Sequence, residues 1–148
     1  MTNKISDLMT KIASSEYATT IGRNMHIQMQ RVFYTPNGWV GNKDLINHIS
    51  HIPELREFMG ELSRTEVPVA GTINGKFISR RIDRLYVNYD TKKVVILDYK
   101  TDMDKKLFFE KYREQLKEYY ELLKQIYSGF DIECKILWLN DFTLENII

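Results

Sequence analysis

"RRIDRLYVNYDTKKVVILDYKTD", residues Arg80 to Asp102, is the stretch on which the fold turns. Two runs rich in valine, isoleucine, leucine and tyrosine flank a polar turn, the pattern of a β-hairpin. A tight two-residue loop at Asp90 and Thr91 sets Asp83 opposite Asp98, Leu85 opposite Ile96 and Val87 opposite Val94. Directly opposed side chains have Cβ atoms ~4.5–5.5 Å apart. Lys100 lies two residues beyond Asp98 and so shares its face. An apolar stripe therefore runs into two acids and a lysine. A slip of one residue would send the acids to opposite faces.

Working outward, "TEVPVAGTINGKF" before the hairpin predicts a short strand at Glu66–Ala70 and a turn at Asn74-Gly75, then the long first strand of the hairpin. After it, Leu107 to Tyr127 predicts a helix closed by Ser128-Gly129, and "DIECKILWLN" a final strand. Residues from Lys4 to Phe33 predict one or two helices, with Gly22 at the break and Ile21, Met25, Met29 and Val32 at helical spacing. "YTPNGWVGNKD" reads as a loop, and Asp44 to about Leu62 as a helix broken or kinked near Pro53. The order is α, α, β, β, β, α, β: an α/β domain of helices packed on a mixed sheet. One domain is expected over residues 1–148, with N-terminal helices in 4–62 and a core in 64–140.

Composition narrows the functional classes. A net charge of +1 means that any nucleic-acid contact must come from local patches, not bulk charge. Cys134 is the only cysteine, which excludes a disulfide within the chain and a cysteine-ligated zinc or iron–sulfur site. That fits a reducing, cytoplasmic setting. The first 20 residues lack the apolar core of a signal peptide. No apolar run approaches the ~20 residues needed to cross a bilayer, so no membrane partner is expected. No GxxxxGK[ST] loop is present, so no nucleotide cofactor is expected.

Two close carboxylates repel each other, and burial raises the cost. A divalent cation removes the conflict, and oxygen ligands suit Mg²⁺ or Mn²⁺. Such an ion polarises a phosphate oxygen and acidifies a bound water. A neighbouring lysine stabilises the charge that develops. The chemistry is phosphodiester hydrolysis. The plain alternative is a solvated strand end, with Asp98 and Lys100 as a surface ion pair worth little.

The pattern extends beyond these three residues. "GRNMH" (Gly22–His26), "RTEVPV" around Glu66, Asp83-Arg84, "DYKT" (Asp98–Thr101), and Gln115 with Tyr119 follow one another in the chain. Together, over about residues 20–140, they resemble the nuclease domain of RecB/AddA-type exonucleases, within the PD-(D/E)xK superfamily. The resemblance implies a restriction-endonuclease-like core and a Mg²⁺- or Mn²⁺-dependent exonuclease acting on DNA ends or single strands in recombination or repair. It implies metal ligation by His26, Asp83, Asp98 and the carbonyl of Tyr99. Lys100 is then catalytic, with Glu66 beside it placing metal or water. Gln115 and Tyr119, four residues apart on one helix face, would then steady the site or touch the DNA backbone. Read from the residues themselves, Arg80, Arg81 and Arg84 are candidates for DNA phosphate contact or for ion pairs with the neighbouring acids. Such domains commonly belong to helicase–nuclease chains, which implies a helicase partner.

Read without that resemblance, His26 is a core histidine on an apolar helix face. His48 and His51 read as surface residues. Tyr112, Tyr120 and Tyr127 read as packing. Two rival functions stand beside a DNase: a catalytically inactive DNA-binding or partner-docking module on the same fold, and an RNA-directed nuclease.

Overall fold

The computed structural model describes residues 22–101 and 105–148, with the side chains of 105–107 left out of account. The expected helical residues 4–21 lie outside the described residues. Helix α1 covers residues 22–30. A small hairpin follows, β1 (Phe33–Thr35) with β2 (Gly38–Val40), then the short helices α2 (Lys43–Ile49) and α3 (Leu55–Phe58). The main sheet is built from β3 (Ser63–Ile73), β4 (Lys76–Asn88), β5 (Lys93–Lys100), β6 (Asp131–Trp138) and β7 (Thr143–Asn146). Helix α4 (Lys105–Ile126) connects β5 to β6.

The five strands lie in the order β3-β4-β5-β6-β7. Only β5 and β6 run parallel, as a helical crossover permits. The expected mixed α/β sheet flanked by helices is thus present. Several local expectations are corrected. The helix expected from Asp44 to Leu62 is two short ones, broken around Pro53, and residues 59–62 are not helical. "YTPNGWVG" is a two-stranded hairpin rather than a loop, closed by Gly38 at φ +103°. Phe33 therefore begins a strand and does not end a helix. A seventh strand after residue 140 adds an edge to the sheet. The strand at Glu66 is also longer than expected, running from Ser63 to Ile73.

Each face of the sheet buries its own core. On one side α4 places Leu116, Leu122 and Leu123 over Ile78, Ile82, Leu85, Val94, Ile96 and Ile136. On the other, α1 to α3 place Met29, Val32, Ile49 and Leu55 over Leu97, Tyr99 and Leu137. The near-continuous apolar run Val94–Leu97 follows from being covered on both faces. Among the described residues no helix is long and apolar enough to cross a membrane.

The β4–β5 register is the expected one: Leu85 pairs with Ile96 and Val87 with Val94. The turn is longer than two residues. Asn88 pairs with Lys93, and the Asn88 side-chain oxygen accepts from the N–H groups of Asp90 and Thr91, at 3.0 and 3.1 Å. Lengthening the loop by one residue on each side leaves the register unchanged. Asn74-Gly75 is the tight turn foreseen, both residues at positive φ between paired Ile73 and Lys76.

Arg84 requires the plainest correction. It was expected to reach DNA, yet it is 0 % exposed. Its Nε donates to the Tyr99 hydroxyl at 2.8 Å and its Nη1 to Ser63 Oγ at 3.1 Å. Its Nη2 donates to the carbonyls of Met29 and Val32, at 3.0 and 2.7 Å. The guanidinium also packs on the Phe33 ring, 4.5 Å from its centroid. Those carbonyls lie at the end of α1, where the helix dipole is negative. Arg84 therefore clamps α1 to the sheet. Arg84→Ala should lower unfolding free energy by about 3 kcal/mol or more, since four buried acceptors lose their donor. Arg84→Lys should not restore it, having no planar fork. Urea unfolding of the three proteins tests this, and a loss under about 1 kcal/mol would contradict the clamp.

Candidate active site

The acids are brought together by an irregularity that two strands share. Thr65 pairs with Arg84 and Val67 with Ile82, which leaves Glu66 across from Asp83 with no ladder pair between them. Glu66 has φ +54°, a left-handed conformation costing about 1–2 kcal/mol outside glycine. In-out alternation also shifts here. Ile82 and Leu85 both face α4, whereas regular alternation would oppose them, and Arg84 and Tyr86 face the other side. The shift occurs once on each strand, so pairing resumes in register beyond it. The β4–β5 ladder ends at Arg84 and Leu97, making Asp83 and Asp98 the next opposed pair. Glu66, Asp83 and Asp98 thus form a row across three adjacent strands.

Asp83 finds a new partner in place of the ladder. Its Oδ2 accepts the Tyr99 N–H at 2.8 Å. The same oxygen lies 3.6 Å from His26 Nε2, while His26 Nδ1 is 3.0 Å from the Gly22 carbonyl. At 3.6 Å the contact is an ion pair rather than a directed hydrogen bond. The Asp83 carboxylate raises the His26 pKa to about 9 against the opposing effect of burial, with smaller help from the Gly22 carbonyl and Asp98. Glu66 accepts from Gln30 Nε2 at 2.7 Å and lies 3.7 Å from Arg81. Helix α1 therefore contributes two residues to the row: His26 to Asp83, and Gln30 to Glu66.

Asp98 is 3 % exposed, and its Oδ2 is buried with no hydrogen bond. Lys100 Nζ is 3.1 Å from that oxygen, within ion-pair reach but off the hydrogen-bond direction. Burial pushes the Asp98 carboxyl up, Lys100 pulls it down and Asp83 adds to the rise; the net direction is upward. Lys100 also donates to Gln115 Oε1 at 3.0 Å and lies over the Tyr112 ring, 4.4 Å from its centroid. Gln115 Nε2 donates to the Tyr119 hydroxyl at 2.9 Å. That hydroxyl lies 3.4 Å from the Arg81 carbonyl, to which it donates.

Of the two roles expected for Gln115 and Tyr119, the contacts show the steadying one. Tyr119 is buried in the α4 core, and the pair holds Lys100 between helix and sheet. Tyr112, read as packing, also touches the lysine through its π face. Arg81, expected either at phosphate or as an ion-pair partner of the acids, is paired with Glu66. Gln30 was not singled out, because nothing in the local pattern says that it reaches Glu66. The Gly22 and Thr101 ends of their motifs meet in space. A Cβ on Gly22 would sit 2.9 Å from Thr101 Oγ1, so a larger residue would push α1 from β5. His48 and His51 are exposed, as expected.

The donors suit a hard cation in part. Two carboxylates are adjacent, and one offers a buried oxygen that lacks a hydrogen bond. Among the described residues, however, no group of three His, Cys, Asp or Glu side chains is already gathered to hold a metal ion. His26 would have to exchange its proton and its Asp83 contact for ligation. A cavity of about 390 Å³ lies elsewhere, lined by Tyr34, Arg56, Glu57, Tyr86 and Asn88 among others. There Tyr86 donates to Glu57 and accepts from Asn88, so those polar groups already have partners. No known family model and no curated protein matches the chain.

The His26–Asp83 pair sets a pH dependence. A folded-state pKa raised from 6.5 to about 9 contributes stability that is complete below 6.5 and lost as pH rises through 9. The upward shift of Asp98 acts in the same sense. In metal-free buffer, unfolding free energy should fall between pH 6.5 and 9, and His26→Gln should flatten that fall. Urea titrations across the range test it; parallel curves for the two proteins would contradict the assignment.

Proposed function

We propose that the chain is a divalent-metal-dependent nuclease acting on DNA, built on a restriction-endonuclease-like core. The observation that carries this reading is the Asp83–Asp98–Lys100 cluster. In it a buried carboxylate oxygen without a hydrogen bond faces a lysine that is itself held by Gln115. A merely structural ion pair has no need of a second carboxylate beside it, since like charges raise the cost of burial.

Asp83 and Asp98 would hold Mg²⁺ or Mn²⁺, with His26 and the Tyr99 carbonyl completing the set. When bound, the cation supplies Lewis acidity toward a phosphate oxygen and an acidified water. Lys100, fixed by Gln115 and Tyr112, places a positive charge where the phosphate gains negative charge. Glu66, fixed by Gln30, borders the same site and orients the water. His26 would hold the cation through a neutral ring nitrogen, so activity should rise with pH as its proton is lost. An exonuclease working in recombination or repair with a helicase partner is the setting that the motif resemblance suggests. The alternative is a DNA-binding or docking module without catalysis. It is favoured by the lack, among the described residues, of three gathered ligand side chains.

The test is cleavage of end-labelled linear and closed circular DNA with Mn²⁺, Mg²⁺ or EDTA. Cutting should require metal, and Lys100→Ala should slow it by about 10²–10³-fold, the cost of removing one charge-stabilising group. Asp98→Asn should abolish it while leaving the circular dichroism spectrum intact. Equal cutting by both variants would contradict the mechanism. Metal-independent DNA binding without cleavage would favour the module.

A further inference from the structure

The β3–β4 hairpin reaches beyond the rest of the sheet. Strand β4 pairs with β3 from Lys76 to Tyr86, but with β5 only from Arg84 to Asn88. Residues 67–82 are therefore a two-stranded arm leading away from Glu66 and Asp83. The arm carries Lys76, Arg80 and Arg81 and no acid. Arg80 is paired with Glu118 of α4 at 3.0 Å, so the positive charge left beside the candidate site is that of Arg81, 3.7 Å from Glu66, and of Lys76 at the arm's tip.

The two faces of the arm differ. Val69, Ile78 and Ile82 are buried under α4. Gly71 lets α4 approach closely, since a Cβ there would lie 2.9 Å from Leu122 Cδ2. Gln125 on α4 donates to the Thr72 carbonyl at 3.0 Å. Among the described residues nothing covers the opposite face. Phe77, Ser79 and Arg81 alternate along β4 across from Thr72, Ala70 and Pro68, and all six are exposed. Phe77 is 69 % exposed, an unusual position for a large apolar ring on a strand. Between it and Arg81 lie only small or short side chains, so nothing obstructs the strip. The Arg81 side chain is 68 % exposed, with Nη1 3.7 Å from Glu66.

We propose that this outer face is a platform for a single DNA strand, Arg81 holding a phosphate beside Glu66 and Phe77 stacking an unpaired base about 13 Å further along. The inference rests on the reading of the site as one that acts on DNA. It commits to a single strand because an exposed ring can stack only on a base that is not already stacked within a duplex. Cation and aromatic do separate work: the guanidinium provides attraction that salt screens, the ring attraction that salt does not. This supplies the local patch that the neutral composition requires.

The test is binding of a fluorescent single-stranded oligothymidylate to the full chain in EDTA, with a blunt duplex of the same length in parallel. Phe77→Ala should weaken single-strand binding about tenfold without changing its salt slope. Arg81→Gln should lower the slope of log K against log salt by about 0.7. Both residues are exposed, and unchanged melting curves would confirm that the variants fold. Duplex binding should be indifferent to Phe77→Ala. Wild-type affinity in Phe77→Ala, an equal loss for duplex, or no oligonucleotide binding at all would overturn the proposal. Because no metal is present, the result separates from catalysis. Single-strand binding with these signatures and no cutting in Mn²⁺ would keep the platform and refute the nuclease. Cutting of single strands by Phe77→Ala at the wild-type rate, at limiting substrate, would do the reverse.

Discussion

Where the β4–β5 ladder stops, the Asp83 carboxylate takes over the Tyr99 N–H at 2.8 Å, and most of the surrounding organisation depends on that bond. It fixes the carboxylate at the sheet end beside Asp98. It also allows β4 to change which face its residues present, so that Arg84 points to the side opposite α4. There the buried guanidinium gathers the last carbonyls of α1. The same helix then returns His26 to Asp83 and Gln30 to Glu66. Two successive residues thus close a circuit. Asp83 faces the site, and Arg84 anchors the helix that completes it. Tyr99 sits within the circuit, its N–H on Asp83, its hydroxyl on Arg84 and its ring edge toward His26 at 6.0 Å.

On the α4 side, polar contacts fix the lysine instead. Lys100 is bounded by Asp98, Gln115 and Tyr112, and Gln115 is oriented by Tyr119. Each partner restricts a flexible four-carbon stem that would otherwise lose entropy on binding a phosphate. Two groups of the site are shifted toward their protonated forms. Asp98 is buried and inclined to hold a proton, and His26 carries a charge well above its ordinary range. A divalent ion reverses both tendencies, favouring an ionised carboxylate and a neutral imidazole.

Much of this was legible in the sequence, for stated reasons. The turn placed at Asp90 and Thr91 gave the hairpin register, because every pair equidistant from it, Asp83 with Asp98 among them, is then opposed; Val94 to Leu97, covered on both faces, would not have distinguished a slip. Asn74-Gly75 declared its turn through its need for positive φ. The β1–β2 hairpin was missed because three-residue strands carry too little pattern, and Pro36 and Gly38 dominate the reading. The role of Arg84 was missed for a different reason. Alternation predicts a face only while the strand is regular, and the shift at Glu66 and Asp83 falls immediately before Arg84. Glu66 at φ +54° leaves no local signal, since glutamate is not a residue that advertises such a conformation. Gln30 reaches Glu66 across 36 residues, which no spacing rule can see, whereas Arg81 was already a candidate partner for the acids.

In the proposed function the row of acids holds a divalent cation. Calorimetric titration of Mn²⁺ into the full chain, in two buffers of different ionisation enthalpy, addresses it without requiring catalysis. The account predicts binding accompanied by proton release, tighter as pH rises toward the His26 pKa near 9, and lost in Asp83→Asn. No binding, or binding that survives Asp83→Asn unchanged, would contradict it.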